Sequence, residues 1–137
     1  MLYLDKYVGL SEKEVKLLNP IIWAYIGDAV YEMFVRSYLI TMGIVKPNQI
    51  HKSSILYVKA SNQARFLKEV EPMLTEEEKE IVRRTRNAKV GHVPKNANLF
   101  DYKMATAFEG LIGYLFLMKR YDRLDEIIEF TLFKIEK

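Results

Sequence analysis

The chain has 137 residues, half of them hydrophobic, and a formal net charge of +3. This composition argues against global disorder, and the length suits one domain, residues 1–137, with its own core. The absence of cysteine excludes disulfides, thiolate catalysis and cysteine–zinc sites, and two histidines argue against a zinc site built from several imidazoles. No charge-free apolar run reaches the length of a membrane span, and the first residues resemble an arm, not a secretory signal, so we expect a cytoplasmic protein without a membrane anchor.

The elements predicted along the chain are all helical. Ser11 and Thr75 each stand three residues before a glutamate, which is the capping-box pattern. Asn19 before a proline is typical of a helix start, and Gly43 of a helix end. No strand-like alternation is visible, so we expect an all-α helical bundle. The predicted helices run over Glu12–Leu18, Pro20–Met42, Asn48–Val70 with a break or kink near Ser61, a segment that begins at Glu76, a segment that carries Glu109, and Tyr121–Ile135.

Two of these helices are almost free of charge, and each offers a carboxylate from an apolar face. Asp28 lies on the Pro20–Met42 helix, which has apolar residues on all sides and is therefore expected to be central and buried. Glu109 is the only charged residue between positions 104 and 118. Such carboxylates are costly unless a cation, hydrogen bonds or a metal stabilises them. If the two helices pack together, both acids converge on one metal ion, and carboxylates with water suit Mg²⁺.

A purely structural role, with each acid bonded to a tyrosine or an arginine, stays open for both carboxylates. Glu32 lies one turn beyond Asp28, either as a further ligand or, as we favour, pointing toward solvent.

A basic window follows in the second half of the chain. From Arg83 to Lys103 there are six basic residues and one acid, Asp101, and the clearest loop, Val90–Asn98, lies inside this window. A local excess of positive charge is the pattern expected for a polyanionic partner, although a solvated helix end would look alike. The candidate RNA-binding residues are Arg83, Arg84, Arg86, Asn87, Lys89, His92 and Lys95.

Two runs of sequence resemble the motifs of the ribonuclease III family. AYIGDAVYE, at residues 24–32, is similar to the family signature E-x-L-G-D-(A/S), and TAFEGLIGYLFL, at residues 106–117, is similar to D-x-x-E-A-L-I-G. The resemblance implies that Asp28 and Glu109 are the catalytic, metal-binding aspartate and glutamate. It also implies that Gly27 and Ala29 are small neighbours that let the helices approach closely.

The sequence departs from the family pattern at two positions. Ala24 stands where the family has a metal-binding glutamate, and Thr106 stands where it has aspartate. These departures, the runs LNPIIWAYIGDAVYE and RNAKVGHVPKNAN, and the short chain without a double-stranded RNA-binding domain resemble the Mini-ribonuclease III subfamily.

The subfamily resemblance implies an all-helical, homodimeric, Mg²⁺-dependent endoribonuclease that cleaves double-stranded RNA. It implies 5′-phosphate and 3′-hydroxyl products, precursor 23S ribosomal RNA as the substrate, and a ribosomal protein as a further partner. Two alternatives stay open. One is an RNA-binding or ribosome-assembly module of the same fold without useful metal binding, which Ala24 and Thr106 favour. The other is a metal phosphohydrolase of free nucleotides, which would have little use for the basic window.

Overall fold

In the computed structural model, the chain forms a bundle of α-helices, which confirms the all-α prediction. The structure describes residues 6–89 and 91–136, with side chains as far as residue 132. No strand is present in these ranges, and none of their helices has the length and apolarity that a membrane crossing requires. The helices are α1 (Glu12–Leu17), α2 (Pro20–Thr41), α3 (Pro47–Val58), α4 (Ala60–Val70), α5 (Glu76–Asn87), α6 (Leu99–Leu117) and α7 (Tyr121–Glu136), with a 3₁₀ turn at Glu71–Met73.

The predicted helix ends agree with the structure because local hydrogen bonds set them. Ser11 and Thr75 both form complete capping boxes, in which the Oγ atom accepts from the backbone N–H of the glutamate and the glutamate accepts from the backbone of the cap. The Asn19 side chain accepts a hydrogen bond from the backbone N–H of Ile21 at 3.0 Å and starts α2. Gly43, with φ of +91°, follows the end of α2.

The long helix predicted over Asn48–Val70 is two helices, α3 and α4, that meet at Lys59. Lys59 has an extended backbone (φ −66°, ψ 143°), which lies two residues before the break expected near Ser61. The break leaves two carbonyl groups without helical donors. Side-chain amides of α4 supply donors instead: Asn62 Nδ2 donates to Leu56 O at 2.6 Å, and Gln63 Nε2 donates to Val58 O at 2.7 Å.

The helix at the centre of the bundle is α6, and not α2 as the sequence predicted. Most residues of α6 are buried, and it packs against α2, α4 and α5. By contrast, α2 leaves an apolar stripe in solvent along one side, where Ile22, Tyr25, Met33 and Ile40 are each at least 45% exposed. The prediction that α2 is central and buried is wrong, because no described part of this chain packs against one of its apolar faces.

The closest approach of α2 and α6 is made by two glycines. A Cβ atom on Gly27 would collide with the carbonyl group of Glu109, and a Cβ atom on Gly113 would collide with that of Trp23. The expected role of Gly27 is therefore confirmed. Ala29 does not share this role: it lies 200° further round the helix than Gly27 and is exposed.

The last helix presents the predicted apolar stripe to the core. Leu124, Ile127 and Ile128 are buried and Leu132 is partly buried. The side chain of Ile135, part of the predicted stripe, lies outside the described residues, as do residues 1–5 of the predicted arm and Val90 of the predicted loop.

Candidate active site

The contact between Gly27 and Gly113 places one acid from each helix in a shared cleft. Asp28 follows Gly27 directly, and the carbonyl group that Gly27 approaches belongs to Glu109. The cleft has a volume of about 200 Å³. Its lining comes from α2, from α6 and from the loop between α5 and α6: Ile21, Ala24, Tyr25 and Asp28; Tyr102, Thr106 and Glu109; and Gly91 and His92.

The two carboxyl groups face each other within hydrogen-bonding reach. Burial raises the pKa of Glu109 to about 9, and the Asp28 carboxylate contributes through its charge and its hydrogen bond. At neutral pH Glu109 therefore carries a proton. Glu109 is partly buried as expected, but Asp28 is exposed, because no other described element covers this face of α2.

Gln63 is a site residue that the sequence analysis missed. It is 3% exposed, and its amide faces Glu109, where it favours the ionised carboxylate. The hydrogen bond to Val58 O fixes this orientation, while Gln63 Oε1 is buried without a partner in the described part of the chain. The signal was present in the sequence, since a glutamine just after the predicted break is well placed to bond a free carbonyl group.

The other two acids considered from the sequence differ in their relation to the cleft. Glu32 is partly exposed and pairs with Arg36 at 3.3 Å, although its charge also raises the pKa of Glu109. Asp101 lies in the first turn of α6 and lines a different cavity, beside Phe100.

A basic groove of about 720 Å³ lies next to this cleft along the chain. It is lined by Leu17, Leu18, Asn19, Pro20, Arg83, Arg84, Asn87, Ala88 and Lys89. Pro20 precedes Ile21 of the cleft, and Lys89 lies two residues before Gly91 of the cleft. The groove therefore runs toward the carboxylate pair from the end of α5.

Two arginines of the basic window have partners within the protein. Arg83 Nε donates to Glu80 at 2.9 Å. The guanidinium group of Arg84 stacks over the ring of Trp23 at 4.9 Å and donates to Lys16 O at 3.4 Å.

The other five candidate RNA-binding residues divide among four places. Asn87 and Lys89 are exposed in the groove, and Lys95 is exposed in the loop. His92 lines the cleft that contains Asp28 and Glu109, and its carbonyl group accepts a hydrogen bond from Tyr102 Oη at 3.1 Å. Arg86 lies outside both the groove and the cleft, in the cavity that contains Asp101.

Comparison with known proteins decides the family. The Ribonuclease III domain family matches residues 22–120. The chain belongs to the ribonuclease III family. It is 49% identical over 117 residues to Mini-ribonuclease 3 of Brevibacillus brevis, covering 85% of this chain and 87% of that protein. It is 43% identical over 123 residues to Mini-ribonuclease 3 of Clostridium tetani, covering 89% and 82%.

A solved structure supports the same assignment. A crystal structure of a Fusobacterium nucleatum protein superposes with a TM-score of 0.79 at 29% identity, covering 90% of this chain and 98% of that one. Membership in the ribonuclease III family confirms the resemblance seen in the motifs, and it identifies the chain as an endoribonuclease.

The ribonuclease III cleft of this chain is poor in metal ligands. Ala24 and Thr106, the two departures from the family pattern, both line it. Thr106 Oγ1 donates to Tyr102 O at 2.9 Å. Among the described residues, no group of three or more histidine, aspartate or glutamate side chains is placed to hold a metal ion.

Two facing carboxylates nevertheless fit a hard divalent cation. The charge of Asp28 raises the pKa of Glu109, so a cation that replaces the Glu109 proton stabilises the resulting pair of charges. Mg²⁺ commonly takes one or two protein carboxylates and keeps several waters. The donor set formed by Asp28 and Glu109 therefore matches Mg²⁺.

Proposed function

We propose that this protein cleaves double-stranded RNA with the help of Mg²⁺ and trims the ends of precursor 23S ribosomal RNA in the cytoplasm. The observation that carries the proposal is the Asp28–Glu109 pair in an open cleft that adjoins a basic groove. A carboxylate pair is suited to a metal, and the groove is suited to phosphates. The names of the curated relatives support the same activity.

Asp28, Glu109 and Gln63 have separate roles in the proposed phosphodiester hydrolysis. Asp28 and Glu109 would hold Mg²⁺, which would lower the pKa of a water molecule and neutralise charge on the phosphate. Glu109 would have to lose its proton to serve as a ligand, and the Gln63 amide stabilises its ionised form. The oxygen of water bonds to phosphorus as the bond from phosphorus to the 3′ oxygen breaks. The products are a 5′-phosphate and a 3′-hydroxyl end.

Substrate recognition follows from the groove. Cations at the end of α5 and in the following loop contact phosphates, and recognition concerns mainly the A-form shape and the 2′-hydroxyl groups, because the deep groove of duplex RNA hides base edges. The apolar stripe of α2 supports a homodimer, in which two clefts cut the two strands. A ribosomal protein is proposed as an accessory partner that presents the RNA.

The test is cleavage of a duplex RNA with and without Mg²⁺. Asp28→Asn keeps the size of the side chain and removes its charge, so the fold and RNA binding should persist. Loss of metal binding removes several kcal/mol of transition-state stabilisation, and the rate should fall about 100-fold or more. Glu109→Gln should behave in the same way.

The matched control is Asp125→Asn, the same chemical change at an exposed position of α7. It should cleave at the wild-type rate. If Asp28→Asn also cleaves at that rate, Asp28 is not a catalytic carboxylate and the proposed site is wrong.

A further inference from the structure

Arg86 belongs to the basic window but lies in neither the groove nor the catalytic cleft. It faces a cavity of about 490 Å³ between α4, the end of α5 and the first turns of α6, which we name the α4 cleft. Its main lining residues are Arg65, Lys68, Arg86, Phe100, Asp101 and Met104. The volume lies in the range of ligand pockets for small molecules.

The cations of the α4 cleft lack carboxylate partners among the described residues, and the guanidinium group of Arg65 lies over the ring of Phe66, 5.5 Å from its centre. Arg65, Lys68 and Arg86 are exposed, and none forms an ion pair with a carboxylate in the part of the chain that the structure describes. Two acids, Glu71 and Asp101, also line the cleft, so the cations outnumber the acids by one. An anionic ligand would therefore gain from the local charge.

The α4 cleft also has an exposed aromatic ring. Phe100 lies in the first turn of α6 and is 68% exposed, which is costly for so large an apolar side chain. Behind it, Ala64 and Met104 are buried and form an apolar floor. An aromatic ring beside several cations is the arrangement with which proteins bind unpaired nucleotides, because the base stacks on the ring and the cations meet the phosphate.

The α4 cleft is separate from the catalytic cleft. The two cavities share no lining residue. Phe100 and Met104 lie on a face of α6 roughly opposite to that of Thr106 and Glu109, given 100° of rotation per residue. An RNA strand that occupied both the α4 cleft and the catalytic cleft would pass over the first turn of α6.

We propose that the α4 cleft binds one unpaired nucleotide, with the base against Phe100 and the phosphate against Arg65, Lys68 and Arg86. The nucleotide is either a single-stranded residue that flanks the duplex substrate or a free mononucleotide. Binding of a flanking single-stranded residue rests on the proposed function, whereas binding of a free mononucleotide does not.

The test measures binding to the full chain that carries Asp28→Asn, so that RNA is not consumed. The probes are a single-stranded hexanucleotide, AMP, and one duplex prepared with blunt ends and with a three-nucleotide tail. Phe100→Ala should weaken binding of the hexanucleotide or of AMP about 5- to 100-fold, the range expected for one stacked base. Since Phe100 is mostly exposed, its truncation should not disturb the fold.

Two controls isolate the stacking and the charge. Leu99→Ala truncates the neighbouring side chain, which is 53% exposed and does not line the cleft, and it should change binding less than twofold. Arg65→Gln should flatten the slope of log affinity for the hexanucleotide against log salt by about 0.7, whereas Lys13→Gln on α1 should not.

The outcomes separate the two sources and the two proposals. If the single-stranded tail tightens duplex binding only when Phe100 is present, the bound nucleotide is the single-stranded residue that flanks the duplex. If AMP binding depends on Phe100 and the tail has no effect on duplex binding, the ligand is the free mononucleotide. If Phe100→Ala and Leu99→Ala bind every probe equally, the inference is wrong, whether or not the chain cleaves duplex RNA. If duplex RNA is not cleaved while AMP binding depends on Phe100, the proposed function fails and the nucleotide site stands.

Discussion

Glu109 carries the carboxyl group that faces Asp28 in the cleft. Its pKa is raised to about 9 by burial and by the neighbouring Asp28 carboxylate, so it binds a proton throughout the neutral range. Mg²⁺ requires the ionised carboxylate. Metal binding and proton release are therefore coupled at this one side chain.

The coupling predicts a pH dependence with a definite sign. Below pH 9 the ion must displace one proton, so the affinity for Mg²⁺ should rise about tenfold per pH unit as the pH increases from 6 to 8. Calorimetric titration in buffers of different ionisation enthalpy should show the release of about one proton per ion. Glu109→Gln lacks both the proton and the carboxylate ligand, so as the control it should bind the ion weakly, with no proton release and no dependence on pH from this side chain. A wild-type affinity that does not change between pH 6 and 8 would contradict a protonated Glu109.

At the scale of elements, the cations proposed to bind RNA lie at the end of α5, in the basic groove, and in the loop that follows it. Lys89 and Lys95 are exposed, whereas the guanidinium groups of Arg83 and Arg84 already bind Glu80 and Trp23. Removing a phosphate contact should flatten the slope of log affinity for duplex RNA against log salt by about 0.7–0.9. We expect this change for Lys89→Ala and Lys95→Ala, and a smaller one for Arg83→Ala.

The measurement uses the Asp28→Asn background across a series of salt concentrations, and Lys13→Ala on α1 is the matched control. Equal slopes for all of these variants would remove the groove from the RNA-binding surface. Arg84→Ala is less informative, since it also removes the packing of the guanidinium group on Trp23.

A second pair of elements, α5 and α7, is joined by a buried ion pair. Arg123 donates two hydrogen bonds of 2.8 Å to Glu78, which is 3% exposed, and a third of 2.7 Å to Met73 O. Burial opposes the charge of Glu78, but the hydrogen bonds from Arg123 and Thr75 hold its pKa below the ordinary value of 4.5. The stability that Glu78 contributes is therefore present above pH 4.5 and is lost as the pH falls below it.

Arg123→Met leaves the Glu78 carboxylate buried without its partner. We expect the free energy of unfolding at pH 7 to fall by about 3–5 kcal/mol. Arg36→Met is the control, because its pair with Glu32 is exposed and should contribute about 1 kcal/mol or less. Urea titrations of both variants make the comparison. Equal decreases in the free energy of unfolding for the two variants would show that burial of Glu78 does not increase the contribution of its ion pair to stability.

How far the sequence predicts these elements depends on the range of the interactions. The capping residues Ser11, Asn19 and Thr75 act within a few residues, so the helix starts could be read directly. The two acids could be paired because each is the one carboxylate on the apolar face of a helix with very few charged residues, and the resemblance to family motifs supported the pairing. The local sequence pattern does not predict that Gln63 faces Glu109 or that Arg86 lies outside the groove. Both positions depend on how separate helices pack.

For the molecule as a whole, the main unexplained surface is the apolar stripe of α2. Ile22, Tyr25, Met33 and Ile40 recur at helical spacing, and exposed Ala29 in their midst leaves room for another helix to come close. An apolar pattern predicts that a helix face is buried, but it does not predict whether the same chain or another molecule buries it. The sequence therefore wrongly indicated that α2 is the buried central helix. Tyr25 also lines the cleft that contains Asp28 and Glu109, so a second copy on this stripe would bring two such clefts near each other.

The last prediction concerns this stripe. Met33 is 50% exposed at its middle, and Met33→Glu would place a charge in an apolar interface at a cost of several kcal/mol. We expect wild type to sediment as a two-fold dimer at micromolar concentration, and Met33→Glu to sediment as a folded monomer that cuts duplex RNA at least about tenfold more slowly. The matched control is Leu56→Glu on α3, which is 53% exposed and lies off the stripe, and it should remain dimeric and active. A dimer is expected because each chain contributes one carboxylate pair, while cleavage of a duplex needs two cuts. A wild-type protein that is monomeric at this concentration and still fully active would refute the homodimer.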